Sequence, residues 1–242
     1  MTRQLTIISV LPDLLNTNGD AANARVLAQR ARWSGHEASV VEVRSRADLP
    51  ESVDAIVIGS GADAELVGAR DILLTMVDEL RAWTTAGVPL LAVGTGWELL
   101  SWGIELHSGT VVEGLGLVAG RAVPRVVRAT DDIVVTSKHG RLVGFENHAR
   151  DYVGAEASPL GRVLSGTGNG NGGEGLVMGD LIGTHLHGPV LARNPGLADH
   201  MLRAAFGRVG EVYESGERTA PVDAMAHAVR DQIATRLSLS GE

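Results

Sequence analysis

Four short aliphatic, β-branched runs dominate the first hundred residues of this 242-residue chain. They are "LTIISV" (Leu5–Val10), "ASVVEV" (Ala38–Val43), "AIVIGS" (Ala55–Ser60) and "VPLLAV" (Val88–Val93). They do not alternate cleanly between apolar and polar residues, so each needs cover on both faces, as strands of a parallel sheet do. Helical periodicity fills Asn23–Trp33. It returns over Asp71–Thr85, with apolar positions at Ile72, Leu73, Met76, Val77 and Leu80. Strand–helix alternation of this kind predicts a doubly wound α/β fold, a mostly parallel sheet with helices on both faces. Such sheets bind ligands beyond the carboxyl ends of their strands. Those ends are Pro12–Asn23, Gly59–Asp63 and Gly94–Gly96.

The second half is β-rich and loop-rich from Thr110 to Gly183, with segments such as "DIVVTS", "GRVLSG" and "GLVMGD". A helix is expected at Pro195–Arg208. Another is expected over Ala220–Leu237, where Val222, Met225, Val229, Ile233 and Leu237 follow an amphipathic spacing. The more economical reading is that this stripe packs on the protein's own core. No hydrophilic linker splits the chain. The expectation is one domain over residues 1–210 and a C-terminal helical extension over 211–242. A formal charge of −8 argues against nucleic-acid or membrane-surface partners. No apolar run reaches the ~18 residues of a membrane span. The absence of cysteine excludes disulfides, thiolate metal sites and cysteine catalysis together. The cytoplasm is the expected compartment.

Several segments carry candidate chemistry, each beside a plainer reading. The stretch "LLAVGTGWELL" (Leu90–Leu100) has the strand–turn–helix outline used to hold a nucleophile at a strained tip, yet the tip reads Gly94-Thr95-Gly96. The Gly-rich "SGTGNGNGGEG" (Ser165–Gly175) lacks a following helix and a Lys-Ser/Thr pair, so a loop between strands is preferred to a phosphate cradle. His185 and His187 in "GTHLHGP" would share a face on a strand and so form a metal pair, a structural histidine or a catalytic base. Glu146, Asn147 and His148 form a compact polar turn that alone requires only a hydrogen-bonded loop. The loop "LPDLLNTNGDAAN" (Leu11–Asn23) is dense in Asp13, Asn16, Asn18, Asp20 and Asn23. Helix capping by Asp20 or Asn18 explains one of these and leaves the rest.

In this order, "LPDLLNTNGDAAN", "GSGADAE", "VGTGWELL", "GFENHARD", "LGRVLSGTGNG" and "GTHLHGPVLARNPGLADHML" resemble the cobyric-acid-synthase-like class I glutamine amidotransferases. Among these they are most similar to the GatD-type glutaminase subunit of lipid II isoglutaminyl synthase. The resemblance spans roughly Leu5 to Phe206. It implies a single class I glutamine amidotransferase-like domain, no cofactor, and glutamine as substrate. A thiolate attacks the side-chain amide, a histidine shuttles the proton, and backbone amides hold the oxyanion. The ammonia passes to a Mur-ligase-like, MurT-type synthetase that amidates the D-glutamate of lipid II. By the same resemblance, His187 matches the catalytic histidine. Arg128 matches the glutamine-binding arginine, with Arg125 as the alternative. Gly59 and Gly61 stand where amides would face an oxyanion.

The departure is at the turn. The family pattern Cys-x-Gly-x-Gln-x-Leu meets Gly94-Thr95-Gly96-Trp97-Glu98-Leu99-Leu100, so the nucleophile position is Gly94 and the Gln position is Glu98. Two accounts compete: an altered form of a working glutaminase, or a natural pseudo-amidotransferase that binds a partner or a small amide. The paired change at Glu98 and the lack of any other cysteine favour natural loss. Thr95, one residue past the tip, lacks an evident activating base as a substitute nucleophile. Losing a covalent nucleophile typically costs about six orders of magnitude in turnover. A cobyric acid synthase proper is the weaker alternative, since its synthetase domain would have to be a separate partner.

Overall fold

The computed structural model describes residues 4–239. A six-stranded sheet runs in the order Leu176–Met178, Leu181–Thr184, Leu90–Val93, Ala55–Ile58, Leu5–Val10, Ala38–Val43. All its neighbours pair in parallel except the first two strands, which pair antiparallel. Successive side chains on a strand point to opposite faces, and both faces are buried here. Ile8, Val10, Ile56 and Ile58 join one core with Leu66, Leu73, Met76, Leu80 and Trp97. Leu5, Ile7, Ala55 and Val57 join a second core with Leu27, Ala31, Leu202 and Phe206. The α/β architecture with helices on both faces is therefore as the sequence predicts. The two edge strands are half-open: the middle residues of Ala38–Val43 are partly exposed, and so are Val177 and Met178 at the other edge.

The second half adds two four-stranded sheets. One orders His148–Val153, Arg121–Ala129, Gly103–Glu105 and Val111–Glu113. The other orders Gly173–Glu174, Gly161–Ser165, Asp132–Ser137 and Gly140–Phe145. Between His148–Val153 and Arg121–Ala129 the register jumps from His148↔Ala129 to Arg150↔Pro124. Residues Arg125–Arg128 therefore bow out opposite Ala149 alone, a local re-aiming of side chains that bulges produce.

Three expectations need correction. The helix predicted over Asp71–Thr85 is two helices, Leu66–Leu74 and Val77–Thr85. Thr75 Oγ1 donates to the Ile72 carbonyl, competing with the helical ladder, and Met76 leaves helical geometry to bury its side chain. Asp78 and Glu79 then restart the helix with acidic groups in its first turn, where the helix dipole favours them. Neither Asp20 nor Asn18 caps the first helix, Ala22–Trp33. Its N-cap is Ala21, whose N–H is taken by Asn16 Oδ1 at 3.0 Å. The C-terminal helix, Ala220–Arg236, buries Ala226, Arg230 and Ala234 and turns Val222, Met225 and Val229 outward. The apolar stripe is thus not the packed face.

That helix is nonetheless tied into the domain. Buried Arg30, on the first helix, bonds Asp199 Oδ1 (2.7 and 3.0 Å) and Asp223 (2.6 and 3.1 Å), and Tyr213 donates to Asp199 at 2.8 Å. Burial works against the Arg30 charge. The bonds to Asp223 and Asp199 outweigh it and hold the guanidinium pKa above its ordinary value. No helix among the described residues is long and apolar enough to cross a membrane.

Candidate active site

The strand Leu90–Val93 ends in Gly94, whose φ of 53° and ψ of −124° turn the chain sharply into the short helix Thr95–Leu100. Such a positive φ favours glycine. Gly96 lets the helix start press onto the neighbouring loop: a methyl group there would lie 2.2 Å from the Gly59 carbonyl oxygen. Space at Gly94 is equally tight. A methyl group on it would lie 2.5 Å from Ser60 Oγ, 2.8 Å from His187 Cε1 and 2.9 Å from Ser60 Cβ. The tip of the turn, Ser60 and His187 thus converge on one point at the carboxyl edge of the sheet.

His187 follows the strand Leu181–Thr184, and its N–H donates to the Phe145 carbonyl at 3.0 Å. It is fully buried. Asp20 Oδ2 lies 2.9 Å from Nδ1 and Asn18 Nδ2 lies 3.1 Å from the same atom. A carboxylate only accepts, so Nδ1 carries the proton and donates to Asp20, and the Asn18 amide merely stands beside it. In the neutral ring Nε2 then carries the lone pair. It is buried and finds no hydrogen-bond partner among the described residues. Asp20 also accepts from the Gly188 N–H at 3.3 Å. The rest of the loop Leu11–Asn23 is accounted for as well. Asn18 Oδ1 accepts from Asn147 Nδ2 at 3.0 Å, Asn23 Oδ1 accepts the Leu191 N–H at 2.9 Å, and Asp13 pairs with Arg44 at 2.8 Å.

A cleft of about 290 Å³ opens over the turn, lined by Asn18, Ser60, Gly61, Gly94, Glu98 and Arg128 among others. Arg128 reaches it from the bowed segment and is steadied by Asn147 Oδ1, which accepts from Nε at 3.0 Å and from a terminal nitrogen at 2.8 Å. Arg125, the alternative, turns instead to Asp151 and to the Val127 carbonyl, and does not line the cleft. Gly61 donates its N–H to Thr95 Oγ1 at 2.7 Å. Gly59 and Gly61 are also glycines for packing reasons, since a methyl group on either would lie within 2.4 Å of the Leu15 or Leu14 carbonyl oxygen.

Glu98 has a partner that local sequence reasoning missed. Buried Arg150 donates Nε to Glu98 Oε2 at 2.9 Å and both terminal nitrogens to Asp63 at 2.8 and 3.1 Å. Burial opposes the Arg150 charge, but Glu98 and then Asp63 overcome it and raise its pKa. The bond from Arg150 in turn lowers the Asp63 pKa against its partial burial. Glu98 Oε1 is buried with no hydrogen-bond partner among the described residues.

The other candidates fall behind this site. Glu146 accepts the Thr167 and Gly168 N–H groups, both at 2.7 Å, so the Gly-rich stretch is pinned to a carboxylate and not shaped round a phosphate. His185 and His187 do not form a metal pair. His185 stacks on His148 at 4.1 Å between ring centroids and lies beside Glu174, whereas His187 faces Asp20. Burial, and then His148 nearby, push the His185 pKa down. Among the described residues no group of three histidine or acidic side chains is arranged to hold a metal ion.

Residues 6–195 match the CobB/CobQ-like glutamine amidotransferase domain. The chain is 34% identical over 219 residues to the GatD subunit of lipid II isoglutaminyl synthase (glutamine-hydrolyzing) of Staphylococcus aureus, covering 88% of this chain and 89% of that protein. It is 30% identical to the Streptococcus pneumoniae GatD subunit, covering 84% and 81%. A cobyric acid synthase of Nocardia farcinica is also 30% identical, but the match spans only 44% of that protein. Among solved structures, a glutamine amidotransferase superposes with a TM-score of 0.56 at 21% identity, covering 82% of this chain and 98% of the other. A second, from Thermotoga maritima, gives 0.51 at 13% identity, covering 96% and 98%. With the family model spanning most of its length and two relatives at or above 30% identity, the chain belongs to the CobB/CobQ-like glutamine amidotransferases.

Proposed function

We propose that this protein is the amidotransferase subunit of a two-component lipid II isoglutaminyl synthase, working with a Mur-ligase-like, MurT-type partner in the cytoplasm. The observation that carries the reading is one cleft bordered by the Gly94 turn and Arg128, with the Asp20–His187 pair packed against the turn. Glutamine enters with its α-carboxylate toward Arg128 and its side-chain amide toward Gly94. His187, oriented by Asp20, is the group that moves the proton. Gly59 and Gly61 belong to the loop that presents backbone amides to the reacting carbonyl. The likeness to two GatD subunits along most of their length supports this branch over cobyric acid synthesis.

Gly94 supplies no thiol, so the thioester route is closed to this chain. Its glutamine site is the retained part of the machinery. The reading is tested by co-expression with a MurT-type, Mur-ligase-like protein, followed by size-exclusion chromatography and glutamine titration calorimetry. A stable complex should bury at least ~1,000 Å² and co-elute without glutamine. Separate elution at micromolar concentration, together with no heat of glutamine binding, would sink it.

A further inference from the structure

Ser60 occupies the space that a nucleophile's side chain at Gly94 would fill. Its Oγ is the closest atom to the point where a β-carbon on Gly94 would stand, 2.5 Å away, and His187 Cε1 is 2.8 Å from that same point. Ser60 is buried, yet it lines the cleft. Its hydroxyl has no firm hydrogen-bond acceptor. The Thr95 N–H points at Oγ from 3.3 Å, and Thr95 Oγ1 lies 3.3 Å away. His187 meanwhile presents an unprotonated, unpartnered Nε2, with Nδ1 held by Asp20. Ser60 Oγ makes no hydrogen bond to Nε2 in this structure, but the two side chains flank one point, the placement from which a rotamer change hands a serine proton to a carboxylate-oriented imidazole. Thr95 is not its equal. Its hydroxyl receives the Gly61 N–H at 2.7 Å and lies 3.3 Å from the Gly61 carbonyl, so it is already engaged on both sides.

We propose that Ser60 is the nucleophile of this site, displaced from the turn to the adjacent loop, with His187 as its base and Asp20 as the orienting carboxylate. Ser60 Oγ bonds to the carbonyl carbon of the bound amide while its proton passes to His187 Nε2. The carbonyl electron pair moves onto oxygen, which is met by the N–H groups of Thr95 and Gly61, the second released by rotation of the Thr95 hydroxyl. Collapse breaks the carbon–nitrogen bond, and His187 returns the proton to the leaving nitrogen as ammonia. Water then cleaves the serine ester, giving the free acid and restoring Ser60. The choice of glutamine as the amide rests on the proposed function; the reactivity of Ser60 does not.

Because this sequence has no cysteine, Ser60→Cys introduces its sole thiol and makes it a direct reporter. Its iodoacetamide alkylation rate against pH should give a thiol pKa below about 7.5, against about 8.5 for an unperturbed cysteine, and His187→Gln should restore the ordinary value. The wild-type protein should take up one fluorophosphonate, mapped to Ser60 by peptide mass spectrometry, and Ser60→Ala should take up none. A Ser60→Cys thiol that titrates near 8.5 irrespective of His187, with no label on the wild type, would overturn the proposal. Glutamine calorimetry on the same samples separates the two ideas. Binding with an inert Ser60 removes the nucleophile and leaves the subunit role. A reactive Ser60 without glutamine binding keeps the nucleophile and removes glutamine as its substrate.

Discussion

Asp20 and His187 are 167 positions apart in the chain and 2.9 Å apart in the fold, both fully buried. An amide at position 20 can donate to Nδ1, which would move the imidazole proton to Nε2 and leave no base toward the cleft. Asp20→Asn should therefore cut the alkylation rate of a Ser60→Cys protein at neutral pH by about 10-fold, the fall in thiolate fraction as its pKa returns from about 7.5 to about 8.5. Glutamine affinity should change little, because Asp20 does not line the cleft. An unchanged rate would remove Asp20 from the proton path.

Restoring a cysteine at the turn should not by itself restore thiol chemistry. A side chain on Gly94 meets not only Ser60 Oγ, which can rotate, but Ser60 Cβ at 2.9 Å, which cannot. Gly94→Cys alone is expected to show little glutaminase activity, and Gly94→Cys with Ser60→Gly to show clearly more. Ammonia release measured with glutamate dehydrogenase compares the two. Equal activity would mean that Ser60 does not compete for the space.

The Glu98–Arg150–Asp63 cluster should be worth measurable stability, in a definite order. Glu98→Gln removes one charge-assisted bond but leaves Arg150 paired with Asp63, a loss of about 1–3 kcal/mol. Arg150→Leu strands the buried Glu98 carboxylate and should cost more, about 3–5 kcal/mol. Urea unfolding of both variants tests the ranking, and a reversed order would show that Arg150 is held for its charge toward ligand and not for the fold.

His139 and His200 face each other at 4.5 Å between ring centroids. Burial, then His200 and Lys138, bring the His139 pKa down to about 4, and burial also lowers that of His200. The unfolded chain titrates its histidines near 6.5, so between about 6.5 and 4 it binds more protons than the folded one. The contribution is whole above pH 6.5 and is lost as pH falls toward 4. His139→Gln should flatten the thermal midpoint across that window relative to wild type. A parallel acid decline in both proteins would assign the acid sensitivity to other groups.

Much of the fold is legible because the central strands are buried on both faces and their boundaries follow hydrophobic runs. Leu5–Val10 and Ala38–Val43 are read to the residue, as is the helix Pro195–Arg208. The misread helix at Asp71–Thr85 keeps its apolar period across the break, so periodicity alone does not reveal where Met76 departs from the ladder. His187 and Arg128 are reached through a family pattern, not through local chemistry. Asp20 shows only as an excess of polar residues in its loop, because its partner lies at the far end of the sequence. Arg150 and Ser60 fall inside segments the sequence marks, "GFENHARD" and the Gly59–Asp63 strand end, but neither stands out within them. One looks like an ordinary strand arginine and the other like the small residue that ends a strand, and only the meeting of strand ends gives either a neighbour. The outward turn of Val222, Met225 and Val229 is hidden for a related reason: a buried arginine, Arg30, recruits Asp223 and sets the helix's rotation.

That recruitment also orders events in time. Arg30 stands on the helix Ala22–Trp33, but Asp199 and Asp223, which share its guanidinium, are synthesised 169 and 193 residues later. Until both are made, that cation lacks the pair of carboxylates that share it in the fold. The full arrangement round Arg30 therefore forms only once residue 223 has been made, and the helix Ala220–Arg236 is the last element to close on it.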